Sequence, residues 1–156
     1  MIVDQTVPDF SLPATGGQMF SLAAARGSVL VVYFYPKDAT PGCTTEALQF
    51  RERYEDFRQA GCRVVGISRD GMPSHNRFKA RLNLPFDLLS DADETACARF
   101  GVIRQKVLYG KPVRGIERST FVIDADGVLR REWRGVTADG HAAEVLEFVK
   151  SLQGTQ

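Results

Sequence analysis

Apolar residues fall along this chain with two periods. Residues 29–35, Val-Leu-Val-Val-Tyr-Phe-Tyr, form an unbroken apolar run of strand-forming types, which predicts a central strand buried on both faces and ended by Pro36. From residue 44 to about 59, Ala47, Phe50, Tyr54 and Phe57 recur at spacings of three and four, the signature of one helix face, and Gly61 closes that helix. Residues 62–68 predict a second core strand, 73–82 a helix with proline at its start, 86–89 a short strand and 93–100 another helix. Near the start, residues 9–12 and 18–22 alternate around Thr15-Gly16-Gly17 and predict a hairpin. Residues 101–117 are rich in Gly, Lys and Arg with little periodicity, and read as a loop. Residues 119–123 and 128–133 flank an Asp-Gly turn and predict a second hairpin. A final helix carries the stripe Ala142, Val145, Leu146, Val149 and Leu152, with Gly154 placed to terminate it.

The order hairpin, β, α, β, α, β, α, β-hairpin, α is a mixed α/β pattern with helices for both faces of one sheet. It fits a thioredoxin-like three-layer sandwich: a central mixed β-sheet flanked by helices, with an N-terminal β-hairpin. At 156 residues, 44% hydrophobic and 25% charged, the chain has material for one core, and a single domain over 1–156 is expected.

Twenty Lys+Arg against nineteen Asp+Glu leave a formal charge of +1, which gives no electrostatic reason to expect nucleic acid or an anionic membrane as partner. A small substrate without high charge fits better. No apolar run approaches the roughly 18 residues of a membrane span, and residues 1–6 lack the basic-then-apolar pattern of a signal peptide, so a soluble cytoplasmic protein is expected. Three cysteines, Cys43, Cys62 and Cys97, cannot all pair within one chain, and none forms a C-x-x-C or zinc-type spacing. The two histidines, His75 and His141, have no metal-ligand spacing and read as surface helix residues. There is no glycine-rich phosphate loop and no dinucleotide fingerprint, so neither cofactor nor metal is expected.

Cys43 stands out by its context. The segment Pro36-Lys37-Asp38-Ala39-Thr40-Pro41-Gly42-Cys43 follows the first apolar strand and leads into a helical pattern, which places a cysteine at a helix N-terminus. Free N–H groups and the positive end of the macrodipole stabilise a thiolate there relative to the thiol. Cys43 is therefore a candidate nucleophile. Taken singly, its neighbours also have plainer readings: Thr40 as a helix cap, Arg118 as a solvated charge, Pro36 as a strand terminator.

Residues 33–46, with a Pro-x-x-x-Thr-x-x-Cys core running from Pro36 to Cys43, resemble the active-site segment of peroxiredoxins, in the peroxiredoxin Q or bacterioferritin comigratory protein subfamily. Pro8-Asp9-Phe10-Ser11-Leu12, Gly66-Ile67-Ser68, Leu89-Ser90-Asp91, Tyr109-Gly110-Lys111 and residues 115–124 extend the resemblance, in the family's order, over nearly the whole chain. The resemblance implies an antioxidant thiol peroxidase acting on hydrogen peroxide and organic hydroperoxides. Cys43 would be the nucleophile that becomes a sulfenic acid. The Thr40 hydroxyl would bond to the sulfur and the peroxide, and Arg118 would supply fixed positive charge beside both. Pro36 would shield the sulfur from water, and the Glu46 carboxylate would orient hydrogen bonds around Arg118.

The chain departs from well-known members where a second thiol resolves the sulfenic acid: the two usual positions hold Leu48 and Lys79. A one-cysteine cycle follows, with recycling by an external thiol such as thioredoxin, glutaredoxin or glutathione. The alternative is a disulfide from Cys43 to Cys97 or Cys62, which needs local unfolding; taken alone, both residues read as core cysteines. Relatives of this kind point to a monomer, with a weak homodimer as the alternative. Two other functions fit the residues less well. A disulfide oxidoreductase lacks its C-x-x-C, and a redox sensor or binding module switched by Cys43 oxidation would show a single oxidation without turnover.

Overall fold

The computed structural model describes residues 1–153. Its elements in chain order are β1 (Ser11–Ala14), β2 (Gln18–Ser21), a short 3-10 helix (Ala23–Ala25), β3 (Val29–Phe34), α1 (Pro41–Glu52), α2 (Tyr54–Gln59), β4 (Cys62–Ser68), α3 (Met72–Leu82), β5 (Asp87–Ser90), α4 (Thr95–Phe100), β6 (Ile103–Leu108), β7 (Lys111–Ile116), β8 (Ser119–Ile123), β9 (Leu129–Arg134) and α5 (His141–Gln153). Seven strands form one mixed sheet in the order β2-β1-β5-β4-β3-β8-β9, in which β3, β4 and β5 run parallel and β8 returns antiparallel to β3.

The apolar run of β3 follows from its place between β4 and β8. Leu30, Val32 and Phe34 enter one core with Phe10, Phe100 and Phe121, while Val31, Tyr33 and Tyr35 enter the other with Phe50, Phe57 and Val145. Phe100 packs 4.7 Å from Phe121 and 5.2 Å from Phe34, centroid to centroid. Burying each such ring contributes about 2–3 kcal/mol. Helices α1, α2 and α5 cover the second core and α4 the first, which gives the three layers of a thioredoxin-fold sandwich.

Three differences from the sequence reading have physical causes. The helix expected from residue 44 starts at Pro41, because proline is tolerated at the first helical position, and it breaks at Arg53 into α1 and α2. The segment read as a loop, 101–117, is the β6–β7 hairpin. Most of its residues are exposed, so no alternating pattern marks it, and Tyr109 and Gly110 supply the two left-handed residues of its turn. Arg114 and Arg69 both bind Glu94 and tie this hairpin to the segment before α4; the Arg114 hydrogen bond leads in holding that carboxyl down to about 2.

The histidines, read as surface residues, are both buried. His75 lies between the Asp38 carboxylate (2.7 Å) and the Leu89 carbonyl (2.9 Å), and His141 between Thr120 Oγ1 (2.8 Å) and Glu144 (3.2 Å). Asp38, Leu89 and Thr120 come from other elements, which helix periodicity does not register, while Glu144 lies one turn along α5 from His141. Gly154, expected to end the last helix, lies outside the described residues. Among those residues, no helix is long and apolar enough to cross a membrane.

Candidate active site

The parallel strands β3 and β4 end side by side, and the chain leaves β3 through residues 36–40 before turning into α1. Thr40 occupies the N-cap position with extended backbone, and its carbonyl accepts the first helical bond from Thr44 N–H at 2.9 Å. Its hydroxyl does not cap the helix: Oγ1 donates to the Lys37 carbonyl at 2.8 Å. The oxygen lone pairs stay available as acceptors, while the proton is committed to the loop. Pro36 is exposed on the rim of this loop.

Cys43 is the third residue of α1, where helix geometry leaves its own N–H and that of Gly42 without intrahelical acceptors. The sulfur is buried, and the Arg118 guanidinium reaches it from the residue just before β8, Nη2 lying 3.6 Å from Sγ. Glu46, one turn along α1, accepts from Arg118 Nη1 at 2.7 Å, so one planar cation spans thiol and carboxylate. Burial pulls the Arg118 guanidinium down, but Glu46 and Cys43 more than offset it and raise it above its ordinary value.

Gly42 is a residue the sequence reading passed over. A Cβ there would stand 2.9 Å from Arg118 Nη2, so the absence of a side chain is what lets the guanidinium lie across the first turn of α1. The signal was present in Pro-Gly-Cys, but its meaning needs the position of an arginine 76 residues away.

Glu46 is fully buried, and among the described residues its second oxygen has no partner; neither has the buried Tyr33 hydroxyl. Burial pushes the Glu46 carboxyl up to about 7, with Arg118 offsetting only part of the effect. Because this lies above the ordinary 4.5, the folded protein holds the proton more tightly than the unfolded chain. The contribution to stability is full below about pH 4.5 and is lost as pH rises through 7, a swing of about 3 kcal/mol. Glu46→Gln, which cannot ionise, should remove that slope. Urea denaturation at pH 5 and pH 8 checks this: the stability gap between the variant and the parent should shift in the variant's favour at pH 8, and equal slopes would contradict it.

A second buried network fixes the loop itself. Asp38 accepts from Tyr35 Oη (2.6 Å), Ser74 Oγ (2.8 Å) and His75 Nδ1 (2.7 Å), and its N–H donates to Asp70 Oδ2 (2.9 Å). Burial opposes ionisation of Asp38, yet the hydrogen bonds from His75 and Tyr35 hold its carboxyl below the usual range. Residue 38 is thereby pinned to α3 and, through His75, to β5. Asp38, Asp70 and His75 also bring three ligand atoms within 4.8 Å of one another, but the same atoms are engaged by these hydrogen bonds.

Neither of the other cysteines lies beside Cys43. Cys97 belongs to the core on the opposite face of the sheet, and burial, then the neighbouring Asp91, raise its thiol well above the ordinary value. Cys62 shares the Cys43 face but pairs with Val29 at the far end of the parallel strands, about 16 Å of strand away from where β3 ends. Burial pushes its thiol up to about 12. All three thiols are free.

The sequence model of the AhpC/TSA family matches residues 3–132. A protein of Coxiella burnetii described as a putative peroxiredoxin bcp is 49% identical over 144 residues, 92% of this chain and 95% of that one. The solved structure of the Xanthomonas campestris bacterioferritin comigratory protein, described in connection with alkyl peroxide reduction, superposes with a TM-score of 0.87 at 46% identity, covering 91% of this chain and 90% of the other. A cysteine-to-serine mutant of Xylella fastidiosa peroxiredoxin Q superposes with a TM-score of 0.94 at 39% identity and 98% coverage of both chains. With Cys43 at the start of α1 beneath an arginine, and with these likenesses over nearly its whole length, the chain belongs to the AhpC/TSA family, in the Bcp/peroxiredoxin Q group of thiol-dependent peroxidases.

Proposed function

We propose that Cys43 is the peroxidatic nucleophile of a one-cysteine cycle on hydrogen peroxide and organic hydroperoxides. The observation that carries this reading is the 3.6 Å approach of Arg118 Nη2 to Cys43 Sγ at a helix N-terminus. The thiolate attacks one peroxide oxygen in line with the O–O bond. An S–O bond forms as the O–O bond breaks, and the departing oxygen takes up the proton to leave as water or alcohol. Negative charge shifts from sulfur to the leaving oxygen along a line that Arg118 and the free N–H groups of Gly42 and Cys43 flank, so stabilisation grows where charge develops. Thr40, with its proton on the Lys37 carbonyl, takes the acceptor role toward a peroxide O–H rather than donating to the sulfur. Pro36 covers the approach from the rim of the loop.

The Cys43 sulfenic acid is then reduced by an external thiol. Supporting this, Cys97 lies across the sheet and Cys62 at its far end, so either disulfide would require the sandwich to open. Cys43, Glu46 and Arg118 all come from one chain, so a monomer suffices as the catalytic unit. The test is the Cys62→Ser/Cys97→Ser double variant in a steady-state assay with thioredoxin, glutaredoxin and glutathione as separate donors. Turnover within about twofold of the parent is expected with whichever donor supports the parent, and loss of sustained turnover with retained first oxidation would show an internal resolving thiol.

A further inference from the structure

A thiol that arrives from outside needs a seat near Cys43. A cavity of about 250 Å³ lies against the loop that leads into the helix carrying Cys43, lined by Asp38, Ala39, Ser74, Arg77, Phe78 and Arg81. One wall is the loop and the other is α3. Arg77 and Arg81 stand one turn apart on α3 and both border the cavity. Among the described residues, neither guanidinium has a hydrogen-bond or ion-pair partner. This contrasts with Arg51, Arg58, Arg69, Arg114, Arg118 and Arg134, each of which is engaged.

Asp38, on the loop wall, forms no ion pair with either guanidinium, because its oxygens are taken by Tyr35, Ser74 and His75. Phe78 belongs to the apolar layer on the same face of the sheet as Cys43. Ala39, which also lines the cavity, has a left-handed backbone (φ 64°), a strained conformation for alanine four residues before Cys43. A larger cavity of about 630 Å³ lies at the other end of β3, bordered by Asp124 and Asp126, and is neither near Cys43 nor suited to an anion.

We propose that the Arg77/Arg81 cavity binds the carboxylate end of a small anionic thiol and directs its sulfur at oxidised Cys43, an assignment that rests on the external-thiol reading above. The cavity is below the usual 300–1,000 Å³ of a whole-ligand pocket, which suits a carboxylate-bearing end rather than an entire molecule. Two guanidiniums a turn apart match one carboxylate or a pair of them. The donor thiolate attacks the sulfenic sulfur, the S–O bond breaks, the departing hydroxide takes the proton the donor thiol gave up and leaves as water, and a mixed disulfide forms. A second thiolate attacks the donor's sulfur, releasing the Cys43 thiolate and the donor disulfide. Two thiols are oxidised and Cys43 regains two electrons.

The test uses the full chain, its Arg77→Glu/Arg81→Glu variant and the milder Arg77→Gln/Arg81→Gln variant. Reduction of the preformed Cys43 sulfenic acid is timed with glutathione, neutral 2-mercaptoethanol and cationic cysteamine. Charge reversal should slow glutathione about tenfold or more, leave 2-mercaptoethanol within about twofold and speed cysteamine, with the Gln variant intermediate. Equal slowing of all three donors, no slowing of glutathione, or reduction of the parent only by a protein thiol such as thioredoxin would overturn the proposal. The rate of Cys43 oxidation by hydrogen peroxide, measured in the same samples, separates the two levels: if the parent forms no sulfenic acid, the external-thiol reading fails with it.

Discussion

Cys43→Ser should reduce peroxide turnover to the uncatalysed background, a loss of roughly 10⁴-fold or more, while the fold is retained. The reason is chemical rather than structural. A serine hydroxyl is smaller than the thiol and fits the buried position, but an alkoxide is not available at neutral pH and Arg118 cannot make it so. Steady-state peroxide consumption with a thiol donor, alongside thermal denaturation, separates the two effects. Normal kinetics in this variant would remove Cys43 from the reaction and with it the proposed cycle.

Arg118→Ala is expected to lower the second-order rate constant for Cys43 oxidation by roughly 10²–10³-fold, the cost of removing one preorganised charge from a developing anion. Stopped-flow oxidation at fixed pH checks it, and a loss below about tenfold would show that the helix N-terminus alone carries the chemistry. This variant also leaves the buried Glu46 carboxylate unpaired, a situation that costs about 3–5 kcal/mol when the group stays charged. Glu46, already pushed up to about 7 beside Arg118, would escape that cost by taking a proton. The stability loss should therefore grow as pH rises above neutrality. Arg118→Ala/Glu46→Gln removes the orphaned charge and should recover stability at pH 8 without recovering the oxidation rate, so that folding and catalysis are read apart.

The sheet was legible because its central strands have local signatures. The residues of β3 are apolar on both faces, β4 and β8 appear at the boundaries their sequence predicts, and Pro36 marks where the chain leaves the sheet. Hairpin β6–β7 was not legible, since a two-stranded ribbon with most residues in solvent has no buried face to impose alternation. The chemistry divides in the same way. Cys43 could be found from a turn, a glycine and a following helix. That Arg118 meets its sulfur, that Gly42 must lack a side chain for this to happen, and that His75 lies buried against Asp38 all depend on contacts across 37 or more residues. No local period encodes them. The resemblance to peroxiredoxins supplied Arg118 and Glu46, but not Gly42, His75 or the Arg77/Arg81 cavity, because these follow from where side chains meet in this chain.

The most direct test of the central claim is intact-mass and peptide-mapping analysis of the fully reduced protein, quenched soon after one equivalent of hydrogen peroxide. Rapid addition of a single oxygen confined to Cys43 is expected, with Cys62 and Cys97 still reduced and no internal disulfide. Slow oxidation spread over the three cysteines, or a disulfide joining Cys43 to either of the others at the speed of turnover, would contradict it.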